Sequence, residues 1–444
     1  MTARDGEEDQ VLGAFANAFR TPDLRKKLLF VLLIIAVFRL GSHIPTPGVH
    51  VANVQHCFDA TKNNSIYGLI NLFSGGALLQ LTIFALGIMP YITASIILQL
   101  LVVVIPRLEA LKKEGQSGQT KITQYTRYLT LGLAVLQATG IVALARSGNL
   151  LSGCDNTRFP LLYDNSTKTF LVMVLTMTAG TAVIMWLGEL ITDRGVGNGM
   201  SILIFTQVVA RFPTSLWSVG KSRGWWIFAV VIVIGLVIIA AVIFIEQAQR
   251  RIPVQYARRM VGRKMFGGSS TYIPLKVNQA GVIPVIFASS LLYLPAMASQ
   301  FNQSGDNAVM VWVSTHLVRG DHPIYMITFF AMIVFFTYFY VSITFNPEEV
   351  ADNMKKYGGF IPGIRAGKPT EDYLSYVLSR ITLPGALYLG LVALIPLIAF
   401  VLIGADQNFP FGGTSILIMV GVALDTVKQI ESQLQQRNYE GFLR

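Results

Sequence analysis

The sequence predicts an all-α polytopic membrane protein, with ten transmembrane helices in two inverted-repeat halves around a central apolar constriction. Three observations lead to this fold class. First, 53% of the 444 residues are hydrophobic and only 13% are charged, roughly half the charged share of a soluble protein. Second, long apolar runs approach the ~20 residues that a helix needs to cross a bilayer. Third, short motifs recur in the same order in the two halves of the chain.

The recurring motifs form two pairs. Residues 87–95 (Gly-Ile-Met-Pro-Tyr-Ile-Thr-Ala-Ser) match residues 281–289 (Gly-Val-Ile-Pro-Val-Ile-Phe-Ala-Ser) at the glycine, proline, isoleucine, alanine and serine positions. Residues 201–204 (Ser-Ile-Leu-Ile) recur at 415–418. The members of each pair are five predicted spans apart. Because five is odd, the two halves should cross the membrane in opposite directions, as in an inverted repeat.

Ten apolar runs are predicted to span the membrane. Their approximate limits are 28–43, 83–104, 128–145, 170–191, 200–217, 226–245, 280–297, 324–345, 383–403 and 411–427. Arg211 and Pro213 are expected to break the fifth span, and the tenth is short. These two spans occupy matching places in the halves, and interrupted or short spans at equivalent places indicate a functional centre.

The spans divide the chain into four predicted regions. Residues 1–23 form a cytoplasmic segment whose helical apolar pattern is typical of a helix in the membrane interface. Residues 24–222 form the first five-helix half, and residues 223–428 form the second half with two long cytoplasmic loops. Residues 429–444 form a cytoplasmic tail. Most of the 35 Lys and Arg residues lie on the side of the amino terminus, so the positive-inside rule places both termini in the cytoplasm.

The motifs of soluble enzyme chemistry are missing from the sequence. It contains no His-Glu-x-x-His, no Gly-x-Ser-x-Gly and no Walker A loop, so we expect neither an enzyme nor a cofactor or metal site. Residues 195–199 (Gly-Val-Gly-Asn-Gly) are predicted to form a tight cytoplasmic turn between the fourth and fifth spans. Cys57 and Cys154 fit no metal-binding pattern. They lie in predicted outer loops, where either two free thiols or a disulfide is possible.

The duplicated positions predict an apolar ring near the middle of the membrane. Ile88 and Ile92 are four residues apart and therefore lie on one face of a helix, and Met200 and Ile204 have the same spacing. The repeats add one equivalent residue on each of two other spans. The candidate ring comprises Ile88, Ile92, Met200, Ile204, Ile286 and Ile418. For any single isoleucine, the alternative is ordinary packing within the helix bundle.

The prolines of the first motif pair are expected to shape this constriction. Pro90 and Pro284 should bend their helices and widen the space between them. Ionisable residues are scarce in the predicted spans, and charged or polar groups near the midplane are what ion-coupled transporters and intramembrane enzymes generally need. Whatever passes through the constriction is therefore not held by charge.

Several motifs distributed over the chain resemble those of the SecY family. They are Phe-Ser-Gly-Gly-Ala-Leu at 73–78, Ile-Phe-Ala-Leu-Gly-Ile-Met-Pro-Tyr-Ile at 83–92, Lys-Lys-Glu-Gly-Gln-Ser-Gly at 112–118, Gln-Tyr-Thr-Arg-Tyr at 124–128, Gly-Asn-Gly-Met-Ser-Ile at 197–202, Gly-Val-Ile-Pro at 281–284 and Pro-Gly-Ile-Arg at 362–365. The matches run from the first span to the last at the expected spacings. The resemblance implies a central hourglass pore, with the candidate ring at its narrowest point, and a lateral exit into lipid.

Further site residues follow from this resemblance. A short re-entrant plug helix would close the outer funnel, and it would comprise Tyr67, Gly68, Leu69, Ile70, Asn71, Leu72, Phe73 and Ser74. The lateral gate would lie between spans two and three on one side and spans seven and eight on the other. Gln99 and Asn278 match polar positions of that gate.

The resemblance also implies a function and a set of partners. The chain would be a protein-conducting channel of the bacterial plasma (inner) membrane, passing unfolded secretory polypeptides and releasing transmembrane segments laterally into lipid. SecE and SecG-type small subunits, the SecA motor and the ribosome would be its partners, with Arg258, Arg259 and Arg365 as docking residues. The alternative for these basic residues is a topology signal alone. The alternative function is an ion-coupled secondary transporter, because inverted repeats occur there too.

Overall fold

The computed structural model describes most of the chain as a bundle of long helices. The described residues are 21–61, 77–78, 80–148, 159–256, 259–261, 264–266, 270–300, 308–318, 322–403 and 413–441. The predicted plug residues 67–74 and Cys154 therefore lie outside the described residues, as does Arg258.

The first half of the chain contributes seven of the described helices. They are α1 (Pro22–Gly41), α2 (Val51–Thr61), α3 (Met89–Val104), α4 (Pro106–Lys113), α5 (Gln116–Ser147), α6 (Thr167–Arg194) and α7 (Gly199–Arg223). Consecutive long helices pack side by side, α3 on α5, α5 on α6 and α6 on α7, and α1 packs on α6.

The second half has a similar arrangement of long helices. They are α8 (Trp225–Gln247), α9 (Ile283–Gln300), α10 (Ala308–Val313) with a π-helical turn at Ser314–Val318, α11 (Pro323–Thr344), α12 (Pro347–Lys356), α13 (Lys368–Ile403) and α14 (Gly413–Gly441). Helix α9 packs on α11, α11 packs on α13, and α13 packs on α14.

Each of the ten predicted spans overlaps one of these helices. By length and composition, five described helices could cross a membrane, and six could if α3 and α4 count as one span bent by 98°. Two shorter apolar segments begin at Gly199 and at Ile283. The tenth helix was expected to end near residue 427, but α14 continues to Gly441. The division into two halves with a tail remains a prediction.

The structure corrects the expectation that the fifth span is broken. Helix α7 runs without interruption from Gly199 to Arg223, with Pro213 inside it. A proline removes only one intrahelical hydrogen bond, and packing against neighbouring helices can compensate for it. Helix α7 contacts α6, α8 and α14.

The structure also corrects the expected role of Pro90 and Pro284. These residues do not bend helices: Pro90 lies in the first turn of α3, and Pro284 is the second residue of α9. The first turn of a helix tolerates proline because its N–H groups have no intrahelical partner there. The repeated motif therefore marks where two helices begin.

The two long loops on the predicted cytoplasmic side fold together into a small sheet that the sequence did not predict. Strand β1 (Gln249–Tyr256) pairs antiparallel with β4 (Ser270–Lys276) on one edge and with β5 (Gly359–Phe360) on the other. Strands β2 (Arg259–Val261) and β3 (Lys264–Phe266) form a separate two-stranded pair. Beneath the three-stranded sheet lies a hydrophobic cluster of Ile252, Val254, Leu275, Met354, Ile361, Leu374 and Val377.

On the predicted outer side, α2 and its neighbours form a small cap, called the outer cap below. Val49 and Leu162 form an isolated antiparallel bridge. The Asn53 Nδ2 atom donates a hydrogen bond to the Pro160 carbonyl at 2.9 Å. Cys57 is fully buried and disulfide-bonded, which decides against the free-thiol alternative for this residue.

Candidate functional site

The six candidate ring residues lie in one hydrophobic cluster. Each is less than a tenth exposed, and Ile88 and Ile418 are almost completely buried. The cluster contains all six side chains together with buried side chains from both halves of the chain. The structure therefore brings together residues that are more than 300 positions apart in the sequence.

The repeated helices meet within this cluster, which also includes buried residues of other helices. Helix α3 contacts α9, and these two carry the first motif pair. Helix α7 contacts α14, and these two carry the second pair. Every ring residue lies within the first two turns of its helix or, for Ile88, directly before it. Four helix starts therefore converge on one apolar region.

Glycine and proline set the starts of α3 and α9. Gly87 and Gly281 have φ values of 56° and 60°, in the left-handed region that glycine adopts without a steric penalty. A proline follows three residues later in both copies, in the first helical turn. The same short motif thus forms the same turn and helix start in each half.

A side-chain cap, rather than a proline, fixes the start of α7, where Met200 and Ile204 lie. The Asn198 side chain caps this helix, and its Oδ1 atom accepts hydrogen bonds from the Met200 and Ser201 amides at 3.1 and 3.4 Å. The Gly199 amide donates to Thr192 Oγ1 of α6 at 2.9 Å. This arrangement confirms the predicted tight turn at residues 195–199.

Close packing of α6 and α7 depends on small residues. A Cβ atom added to Gly199 would collide with the carbonyl oxygen of Gly188, and one added to Gly188 would lie 2.5 Å from Met200 Sδ. The two glycines therefore let α7 approach α6 closely enough for Met200 to enter the buried cluster.

A cavity of about 310 Å³ lies on the predicted cytoplasmic side of the bundle. It is bordered by the first turn of α7, the last turns of α8 and α11, the segment before α9 and residues 421–429 in the middle of α14. Its charged lining consists of Glu246, Lys276, Asp425 and Lys428. Among the described residues, no group of three or more His, Cys, Asp or Glu side chains could hold a metal ion.

The two predicted gate residues have different surroundings. Gln99 is half-buried on α3, and its Nε2 atom lies 3.5 Å from Ser95 Oγ on the same helix. Asn278 is only 2% exposed and precedes α9. Its Nδ2 atom donates to Glu246 Oε1 at 2.6 Å and to the Gly281 carbonyl at 3.1 Å. No role was predicted for Glu246 from the sequence, although an acidic residue at the end of the strongly apolar α8 was a usable signal.

Two of the three predicted docking residues, Arg259 and Arg365, belong to the described part of the chain. They lie on the two long loops that form the sheet. Arg259 begins β2. Arg365 is exposed in the segment between β5 and α13, where its carbonyl oxygen accepts a hydrogen bond from Thr370 Oγ1 at 2.9 Å. This bond fixes the backbone of the segment and leaves the guanidinium group toward solvent.

Comparisons with known proteins agree with this architecture. The SecY family model matches residues 82–427. The chain is 68% identical over 439 residues to the protein translocase subunit SecY of Streptomyces galbus, covering 98% of this chain and 100% of that protein. Its fold is similar to a solved protein-conducting channel, with a TM-score of 0.60 and 19% identity over 91% of both chains. It is also similar to Sec61 in the canine ribosome-channel complex from the endoplasmic reticulum, with a TM-score of 0.57 and 17% identity over 91% of both chains.

Proposed function

Since the chain belongs to the SecY family, we propose that its six clustered apolar side chains form the ring that closes a pore for unfolded polypeptides. As a family member it is a multi-pass membrane protein and the channel subunit of a protein translocase, and it is not an enzyme. The family membership also decides against the secondary-transporter alternative. The ring assignment is more specific than family membership, because it gives a role to six particular residues.

One observation carries the proposal for the ring. Ile88, Ile92, Met200, Ile204, Ile286 and Ile418 belong to one buried cluster, and the repeated helices meet within it. A narrow apolar constriction excludes water and therefore blocks ions while the channel rests. It also offers no fixed charge or hydrogen-bonding group to a sliding chain, so it tolerates side chains of many kinds. Met200 suits this role because its unbranched side chain adapts to irregular space.

A lateral gate between α3 and α5 on one side and α9 and α11 on the other extends this proposal. The contact between α3 and α9 supports a closed gate that opens when these helices separate. An apolar segment in the pore would then partition into lipid, because burial in hydrocarbon favours apolar side chains. Residues 67–74 serve as the plug in this proposal, which rests on the family resemblance.

The driving force comes from a cytoplasmic partner in this proposal, with SecA and the ribosome as the two candidates. The two basic loops share one sheet and one hydrophobic cluster, which gives a partner a single folded surface. Arg258, Arg259 and Arg365 are the proposed docking residues. The canine relative, which was solved in a ribosome complex, supports the ribosome as one partner. SecE and SecG-type subunits complete the assembly in the bacterial inner membrane, with both termini of this chain in the cytoplasm.

Asparagine at the ring tests the pore assignment. Ile92→Asn and Ile418→Asn should each raise the resting ion conductance of reconstituted channels several-fold, because a polar side chain lets water wet the constriction. The same variants should export a reporter with a defective signal sequence more efficiently. Ile44→Asn is the matched control, because Ile44 is 50% exposed and lies outside the cluster. If both ring variants kept the native conductance and still rejected the reporter with the defective signal sequence, the ring assignment would be disproved.

Charge reversal tests the docking surface. Arg365→Glu, and Arg258→Glu together with Arg259→Glu, should weaken the sedimentation of ribosomes with channel vesicles. If these residues contact ribosomal RNA phosphates, each lost contact should reduce the salt dependence of binding by about one unit of slope. Lys221→Glu, at the opposite end of the bundle, is the control. Unchanged affinity for both SecA and the ribosome would remove the docking role.

A further inference from the structure

Asn278 fixes the turn from which α9 begins. Its Nδ2 atom donates one hydrogen bond to Glu246 Oε1 at 2.6 Å and another to the Gly281 carbonyl at 3.1 Å. Both partners are acceptors, so they determine which way the amide group faces. The bond to Glu246 links this turn to the end of α8, while the bond to Gly281 closes the turn itself.

Further contacts hold the same turn from two sides. The Val277 amide donates to the Ala248 carbonyl, just beyond α8, at 3.0 Å. On α13, a Cβ atom added to Gly385 would collide with the Val277 carbonyl oxygen, so helix and turn are in close contact. Ile286 of the proposed ring lies in the first turns of α9. The position of that ring residue therefore depends on how this turn is held.

The bonds of Asn278 to other protein groups are made by the nitrogen side of its amide. Among the described residues, no group donates a hydrogen bond to its Oδ1 atom. The attachment of this side chain to α8 is therefore the bond from Nδ2 to Glu246.

We propose that Glu246 is a positioning residue that holds the start of α9 in the closed arrangement and thereby sets how readily the channel opens. The inference rests on the proposed function, because it takes α9 as a gate helix that carries a ring residue. Glu246 contacts neither the ring nor the passing polypeptide in this role. It acts through the amide of Asn278.

The proposal predicts a specific pattern among variants of one residue. Glu246→Ala should raise resting conductance and the export of a defective-signal reporter by roughly ten- to a hundredfold, the factor that corresponds to a hydrogen bond to a charged group. Glu246→Gln should leak less than Glu246→Ala, because the glutamine side chain has the same length and its carbonyl oxygen can accept the same bond, although without the charge. Asp425→Ala removes a carboxylate from the same cavity, at a side chain that is 69% exposed, and should behave as native.

A double-mutant cycle distinguishes one shared bond from two separate effects. If Glu246 acts through Asn278, the combined Glu246→Ala and Asn278→Ala variant should be no leakier than the leakier single variant. Additive effects would overturn the inference, as would a glutamine variant that leaks as much as the alanine variant. Ile92→Asn is included in every series: if it leaks and Glu246→Ala does not, this inference fails while the proposed ring stands. If neither leaks, the proposed ring fails as well.

A measurement on the native channel covers the case in which the alanine variants do not fold. The amides of residues 277–283 should exchange with deuterium slowly in the resting channel. They should exchange several-fold faster when a stalled polypeptide occupies the pore, because the attachment to α8 is then released. Equal protection in the resting and occupied channels would overturn the proposal.

Discussion

At the scale of single residues, the close approach of two helix backbones matters as much as side-chain chemistry at the proposed pore. Gly199 faces the Gly188 carbonyl without room for a Cβ atom, and the next residue is Met200 of the ring. The glycine therefore sets the distance between α6 and α7. Gly132 in α5 differs, because nothing lies within 4 Å of a Cβ atom at that position.

We expect Gly199→Ala to destabilise the protein by about 1–3 kcal/mol, the usual cost of overpacking. It should also raise resting conductance, because α7 would shift and move Met200. Gly132→Ala should instead be neutral or stabilise by up to about 1 kcal/mol, because alanine is the better helix former. Thermal unfolding of the purified channel measures both. Equal stability of the two variants would contradict the close packing of α6 on α7.

The repeats mark four of the six ring residues, because Ile92 corresponds to Ile286 and Ile204 corresponds to Ile418. Ile88 and Met200 were added from helical spacing and the family resemblance. The structure places all six in one cluster, and their role as a ring stays a prediction. Glu246 does not belong to a repeated motif. Its hydrogen bond to Asn278 joins residues 32 positions apart, and neither hydropathy nor spacing indicates that the two should meet.

At the scale of elements, the outer cap shows how a short helix is fixed beside the bundle. Helix α2 has 11 residues, fewer than an isolated helix needs for stability in water. The His56 ring stacks on Phe159 with 4.4 Å between centroids, and the His50 ring lies 4.5 Å from that of Tyr163. Together with the disulfide at Cys57, these contacts keep α2 in place.

Loss of that disulfide should loosen the cap. We expect Cys57→Ser to lower the free energy of unfolding by about 2–5 kcal/mol, as is typical when a native disulfide is removed. Intrinsic fluorescence during heating reports the change. Reducing agent should shift the native protein toward the variant and leave the variant itself unaffected. A variant that unfolds at the native temperature would show that the cap needs no covalent link.

The helix starts at Pro90 and Pro284 show the limit of element prediction. An apolar run with a proline inside it is compatible with a bent helix or with a helix that begins at the proline. The positive φ values of Gly87 and Gly281 decide for the second arrangement. Sequence alone could locate the motif but could not distinguish the two conformations. The reverse error occurred at Pro213, where α7 continues through the proline.

At the scale of the whole molecule, the helical membrane architecture was predictable and the sheet was not. Hydropathy is a local signal, and each of the ten predicted spans overlaps a helix. The repeats additionally indicated which helices are equivalent, and α3 meets α9 while α7 meets α14. The pairing of β1 with β5 joins two loops that are separated by helices α9 to α12. Neither loop has a sequence pattern that indicates such distant pairing, although Ile252 and Val254 of β1 do alternate with exposed residues.

The paired loops have a mechanical consequence. Helix α8 leads into β1, β4 leads into α9, and β5 lies just before α13, so three long helices share one attachment. A push or pull on either loop is distributed through the backbone hydrogen bonds between β1, β4 and β5. The positions of α8, α9 and α13 are therefore coupled through these hydrogen bonds, so that a displacement of one of the three is resisted by the other two.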